Sequence, residues 1–453
     1  MARRLRTLWP VPVSAVLLLA IWLLGPRMPA GSGAPRPEAA TAAALSSRQS
    51  EPPTTSTSGG PASGPTAAPL SIGPPQPSLI QRLGSSSKRV VLAYYVPYDP
   101  TSWASFQAQA DALDYVDAQW VTVNACGSIG SRDDRTLIAY AGQHGVKVLP
   151  SLLTSSGWLN HRLLTDRATA DYFLAEIVSY VVDMGHPGFD LDMEGIYAGD
   201  RDAYSAFVAR LADALHQRGK ILTLAIPAKT SDVRTGWAGP YDYAALGRYA
   251  DLILLMTYDY SWATGPPGSI APQEWVDRVA AYAVSQMPPE KLLLGLAFYG
   301  YDWNTTLGGR ATALLYSQSV ALAGQRGTRI ATDGASRSGT FSYAANAGDT
   351  VPPPPSLPAL QHDIAVRAAG PCSVPEPTAT PGPRPTPGPA PTPRPTPPPD
   401  APQQHVVWLE DATSTAARLE IAVRHGVAGV GAWRLGQEDP GVWASLATYR
   451  SGK

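Results

Sequence analysis

Short runs of consecutive apolar residues recur along the first two thirds of the chain, each bounded by polar or turn-forming positions. Residues 89–96, 120–125, 146–153, 188–193, 221–226, 251–256 and 292–298 read as seven strands. Unbroken apolar character, in place of strict alternation, marks strands covered on both faces. Between them the period changes to that of a helix. Leu174, Ile177, Val181 and Met184 recur at helical spacing before the fourth run, and Tyr204, Val208, Leu211 and Leu215 before the fifth, where Gly219 is placed as a stop. Pro272 opens another helix in its first turn and Pro288-Pro289 ends it. Near the C-terminus, His405-Val406-Val407-Trp408-Leu409 precedes a helix over 415–425, and residues 429–433 supply an eighth buried strand.

Eight strands alternating with helices predict an α/β fold, a (β/α)8 TIM barrel whose active site sits at the carboxyl ends of the strands. Residues 88–450 form the barrel, with a small α+β excursion after strand seven. In that excursion Phe341-Ser342-Tyr343 and Val406-Val407-Trp408 act as two strands. A Pro- and Thr-rich tract over 352–402 interrupts it and is expected to be a disordered inserted loop, not a domain boundary. A second low-complexity stretch, residues 31–87, is a spacer rich in Ala, Pro, Ser and Thr, too poor in large apolar groups to offset chain entropy.

Residues 1–30 carry Arg3, Arg4 and Arg6 before an apolar stretch from Leu8 to Leu24. This is a targeting segment, either a cleaved signal peptide or an uncleaved single-pass anchor. Both place the remainder outside the cell, at the wall or surface, with no membrane contact beyond the anchor. Cys126 and Cys372 are the two cysteines. In an exported chain they either pair, tethering the second Pro-rich tract to the loop after an early strand, or remain two thiols. Formal charge is -1 with 16% charged residues, which gives no footprint for nucleic acid and points to an uncharged or weakly charged substrate. The seven histidines are scattered, so no metal site and no cofactor are expected, and the chain reads as a monomer. Asn304-Thr305-Thr306 matches a glycosylation sequon that matters only in a pathway that reads it.

The most informative residues lie in the fourth run. Asp190, Asp192 and Glu194 alternate with Phe189, Leu191 and Met193, so in a strand three carboxyls share one face and three apolar side chains the other. Like charges so close raise one another's affinity for protons, and Glu194 at the strand's end reads as a proton donor.

With these residues in view, the chain resembles glycoside hydrolase family 18, in particular the branch of bacterial spore-cortex-lytic and germination-type N-acetylglucosaminidases. The pattern D-x-x-D-x-D-x-E falls on 187–194, where Pro187 replaces the outermost acid. Met256-Thr257-Tyr258-Asp259 matches the strand-six motif and Trp433 the strand-eight tryptophan. Residues 227–231, 265–268 and 299–303 agree with runs of the branch. The resemblance implies a substrate-assisted glycosidase: Glu194 as acid and base, Asp192 orienting the sugar's acetamido N–H, Asp190 modulating the proton on Asp192, and Tyr258 donating to the acetamido oxygen. It implies sugar contacts from Trp433, Met256, Asp259 and Tyr301, and an N-acetylglucosamine-containing β-1,4 polysaccharide as partner, peptidoglycan ahead of chitin. Plainer roles stand beside these: Asp190 as a backbone ligand inside the barrel, Trp433 and Met256 as core filling, Tyr301 as a shaper of the excursion. A non-catalytic, lectin-like barrel is the alternative function, and a surface adaptor displayed on its spacer a third.

Overall fold

The computed structural model describes residues 88–346, 348–375 and 401–452. The expectations for residues 1–87 and for the remainder of the Pro-rich tract, 376–400, fall outside the described residues.

In chain order the first strands are β1 (Val90–Tyr95), β2 (Tyr115–Val123), β3 (Ile129–Asp134), β4 (Lys147–Thr154), β5 (Gly188–Met193), β6 (Ile221–Pro227), β7 (Leu252–Met256) and β8 (Leu292–Ala297). They are followed by β9 (Tyr299–Asn304), β10 (Thr312–Leu315), β11 (Ala331–Thr332), β12 (Gly339–Ala345), β13 (Ile364–Arg367), β14 (Gln403–Leu409) and β15 (Gly429–Trp433). Parallel pairing runs β1, β2, β4, β5, β6, β7, β8, β15 and back to β1, closing an eight-stranded barrel. The sequence-based expectation of a (β/α)8 barrel holds.

Strand alternation divides the core in two. Leu92, Tyr94, Tyr115, Leu149, Leu252, Leu254 and Leu293 fill the lumen. Phe189, Leu191 and Met193 point the other way, into the larger core between barrel and helices. There they meet helices such as α1 (Arg167–Asp183), with Phe173, Ile177 and Val181 inward, and α2 (Arg201–His216), with Tyr204, Val208, Leu211 and Leu215 inward. Each such large apolar side chain contributes about 1.5–3 kcal/mol by leaving water. The outer face of β5 is thus anchored, and its inner face is held in register for other uses.

The excursion after β8 is a five-stranded antiparallel sheet in the order β10, β9, β14, β12, β11. Phe341 pairs with Val407 and Ser342 with Val406, as the two apolar triplets predicted. The Pro-rich tract corrects one expectation. Residues 352–375 are not a structureless loop: β13 pairs antiparallel with β3, with Ala365 opposite Asp133. Beyond it the Asn124 amide donates to the Gly370 carbonyl at 2.9 Å and Gly370 N–H to Ser128 Oγ at 2.8 Å. Cys126 and Cys372 form a disulfide with Cα atoms 5.6 Å apart, so of the two readings of the cysteines the paired one is realised. A hydrogen-bonding edge on β3, absent from the apolar pattern, gives this polar segment its partner.

Candidate active site

Glu194 follows the last residue of β5 at the carboxyl end of the barrel. Its N–H donates to the Thr154 carbonyl at 2.7 Å, and its own carbonyl accepts from the Asn160 amide. The Tyr241 hydroxyl donates to the Met193 carbonyl at 2.7 Å. Gly195 follows at φ +66°, and a Cβ there would lie 2.7 Å from the Ser155 carbonyl oxygen, so a left-handed glycine lets the chain turn directly after the acid. These contacts fix the backbone while the Glu194 side chain stays half-buried.

Behind it, Asp190 is fully enclosed and accepts three hydroxyls: Tyr94 at 3.0 Å, Ser151 at 2.7 Å and Thr223 at 2.8 Å. Asp192, between the two, has one distant donor, the Gln119 amide at 3.4 Å, and its Oδ1 is buried without a partner. Burial raises the proton affinity of all three. Asp192 is pushed well above the usual carboxylate range by burial first and then by Glu194 and Asp190. Glu194 is pushed up to about 7, by burial first and by the charge of Asp259 second. A glutamic acid in that range keeps a proton to give near neutral pH and can take one back.

Tyr258 stands beside these acids: burial first, then Asp192 and Glu194, hold its hydroxyl well above the ordinary phenol value, so it is a donor at any working pH. Gly295 makes room for it, since a Cβ there would lie 2.8 Å from the ring. Asp259 adopts φ +55° and accepts the hydroxyls of Tyr299 at 2.5 Å and Tyr301 at 3.1 Å. Tyr301 is 1% exposed, with its hydroxyl bound to Asp259. Met256 ends β7 and Trp433 ends β15, both partly exposed; Trp433 tilts against Tyr94 with ring centroids 5.3 Å apart. Pro187, in place of the outermost acid, is half-buried ahead of β5 and accepts from Ile221 N–H through its carbonyl.

Three features escaped the sequence reading. Asp117, on the inner face of β2 and 1% exposed, is a fourth carboxyl, close enough to Asp190 that burial first and then Asp190 push its proton affinity well up. Its signal was the polar alternation Asp117, Gln119 within an otherwise apolar strand. Trp408 of β14, like Trp433 and Tyr258, packs partly buried against the cluster that holds Tyr299, Tyr301 and Trp303. Two rings beside Glu194 face solvent: Tyr197, 51% exposed and against Gly157, and Trp237, 54% exposed, 3.6 Å from a Cβ at Gly195. Among the described residues no group of three or more His, Cys, Asp or Glu is arranged to hold a metal ion.

Residues 90–438 fit the pattern of Glycosyl hydrolases family 18. The chain belongs to glycosyl hydrolases family 18. Among its family relatives, the uncharacterized glycosylase YvbX of Bacillus subtilis (strain 168) is 24% identical over 64% of this chain and 69% of its own length. The cortical fragment-lytic enzyme of the same strain is 27% identical over 64% of this chain and 56% of its own. The chain therefore spans little more than half of that relative. The crystal structure of the Bacillus megaterium QM B1551 spore cortex-lytic enzyme SleL superposes with a TM-score of 0.62 at 23% identity, covering 79% of this chain and 74% of that one, a likeness of fold. These relatives agree with the spore-cortex-lytic branch of family 18 that the sequence resembles.

Proposed function

We propose that the protein is an exported hydrolase of β-1,4-linked, N-acetylglucosamine-containing glycans, with peptidoglycan ahead of chitin, working by substrate-assisted retaining catalysis. The observation that carries this reading is Glu194, a glutamic acid held near pKa 7 beside an Asp192 whose Oδ1 lacks a partner. Glu194 protonates the leaving oxygen. Asp192 is too enclosed and too strongly protonated to act as a free nucleophile, so the attacking group is the substrate's own 2-acetamido oxygen. The open Oδ1 of Asp192 accepts the acetamido N–H, and the negative charge held behind it on Asp190 stabilises the cationic ring that forms. Tyr258 donates to the acetamido oxygen and holds it below the anomeric carbon. Glu194, now a carboxylate, takes a proton from the incoming water. Trp433 and Met256 floor the sugar, Asp259 sets the charge near Glu194, and Tyr197 and Trp237 offer flat faces for flanking sugars.

Preference for peptidoglycan rests on the cortical fragment-lytic relative, and the spacer at 31–87 fits reach into a wall. Export and surface location rest on the Arg3–Arg6 and apolar N-terminal sequence. The test is turnover of a chromogenic N-acetylglucosamine oligomer and of purified sacculi by wild type and Glu194→Gln, with products read by mass spectrometry. The amide variant should still bind while hydrolysis falls by about 10²–10⁴-fold, the usual worth of a general acid. Equal rates would remove Glu194 from the mechanism, and binding without turnover in both proteins would favour the lectin-like alternative.

A further inference from the structure

Asp117 has no part in the mechanism above, yet it occupies the middle of the barrel. On β2 it sits between Tyr115 and Gln119, level with Tyr94 of β1 and Leu149 of β4. It is 1% exposed, its Oδ1 has no hydrogen-bond partner, and its carboxyl meets that of Asp190 across the lumen. A buried carboxylate oxygen in that position has nothing to accept; a carboxylic acid has a proton to give, and Asp190 is the acceptor in reach.

The distribution of donors decides which of the two acids holds the shared proton. Asp190 collects three hydroxyl donors and Asp117 none. Every one of those donors favours the ionised form of Asp190. No cation is among the main influences on Asp117, Asp190 or Asp192, which are burial, neighbouring carboxyls and hydrogen-bond donors. A pair of touching carboxyls without a cation holds at least one proton. The titratable groups facing the pair are Tyr94 from β1, Tyr115 from β2 itself, Asp192 from β5, Tyr258 after β7 and Tyr204 from α2.

We propose that Asp117 is a positioning residue for this site: a permanently protonated carboxylic acid that donates to Asp190 and fixes Asp190 as the buried anion behind Asp192. Asp190 then has its four acceptor positions filled without borrowing the proton of Asp192. Asp192 is left free to face Glu194 and the substrate, as its unpartnered Oδ1 requires. The inference rests on the hydrolytic reading of the same site, and it supplies that site with a second proton-holding layer that the D-x-D-x-E row does not contain.

The pH dependence of kcat on an N-acetylglucosamine oligomer, measured with Asp117→Asn, Asp117→Ala and wild type, tests it. Asparagine keeps an N–H donor toward Asp190 and carries no charge, so its alkaline limb should coincide with wild type and its kcat stay within about three-fold. Alanine removes the donor. Negative charge then moves from Asp190 to Asp192, next to Glu194, so the alkaline limb should rise by about one pH unit and kcat fall by about ten-fold. A downward shift of the limb in Asp117→Asn would mean that Asp117 is normally ionised and would overturn the proposal. An unmoved limb in Asp117→Ala would do the same, by reducing Asp117 to a structural acid. If the alanine variant does not fold, the asparagine profile still decides. A protonated-carboxyl band in the infrared spectrum that disappears in Asp117→Asn locates the proton without turnover, so loss of that band in a protein inactive on every glycan would leave the proton assignment standing and sink only the hydrolytic reading.

Discussion

Glu194 and Glu410 each follow the last residue of a strand, β5 and β14, yet Glu194 is half-buried at the mouth of the barrel and Glu410 is enclosed beside a cation. Glu410 is buried opposite Arg418: one oxygen lies 3.2 Å from the guanidinium and the other accepts the Ser338 hydroxyl at 2.8 Å. The guanidinium is also bound to the Ala271 carbonyl and to Ser338. That cluster joins the excursion to the barrel and has its charge answered. Among the described residues no cation is a main influence on Glu194; burial, Asp259 and a second carboxyl at Asp192 press against it. Burial raises the proton affinity of both acids, but Arg418 and hydroxyl donors pull Glu410 back, whereas the carboxyl of Asp259 pushes Glu194 further up.

The largest effect that separates the two clusters is on turnover. Glu194→Gln should abolish hydrolysis within the range given above while melting cooperatively, and Glu410→Gln should leave kcat close to wild type. The second effect is on stability and runs the other way. Glu410→Gln leaves Arg418 buried without its counter-charge and should cost about 3–5 kcal/mol in denaturant unfolding. Glu194→Gln should instead raise the melting temperature above neutral pH. The sign follows from the raised value: protonation of Glu194 favours the folded state at low pH, and that contribution is lost as pH rises through about 7. A stability-against-pH curve with the same slope in wild type and Glu194→Gln would break the contrast.

Two smaller effects sharpen it. Removing the Cys126–Cys372 bridge with serines should lower stability by about 2–4 kcal/mol and leave the alkaline limb of kcat unmoved, since the disulfide joins the strap formed by residues 352–375 to the loop between β2 and β3 and is not among the contacts of the acids. Asp259→Asn removes the second contributor to the raised value of Glu194, so the alkaline limb should move to lower pH by less than about one unit. A limb that stays in place would make burial the sole cause.

The Glu194 half of this contrast was legible in the sequence because it depends on period. β5 has the bounds the apolar run set, and alternation along it puts Asp190 and Asp192 on the face opposite Phe189, Leu191 and Met193. The second strand was less legible. Its apolar run begins at Trp120, but β2 begins at Tyr115, and the polar residues Asp117 and Gln119 that break the run are those facing the acids. A catalytic lumen puts polar groups at core positions, so the residues most tied to function are the ones that disguise the strand. The strap at 352–375 was hidden for another reason: its order comes from the edge of β3 and the disulfide, partners more than 200 positions away, as the separation of 246 between the cysteines shows. Trp408 was visible as a strand residue, while its place against the cluster that Trp433 also packs on is set by how the excursion folds back.

The central claim is that the acetamido group of the substrate attacks while Glu194 supplies the proton. It is tested most directly by following, with proton NMR, the first anomer released from an N-acetylglucosamine oligomer and from the same oligomer stripped of its acetyl groups. The account predicts the β anomer from the acetylated chain and no cleavage of the stripped one. Comparable cleavage of both, or release of the α anomer, would contradict it.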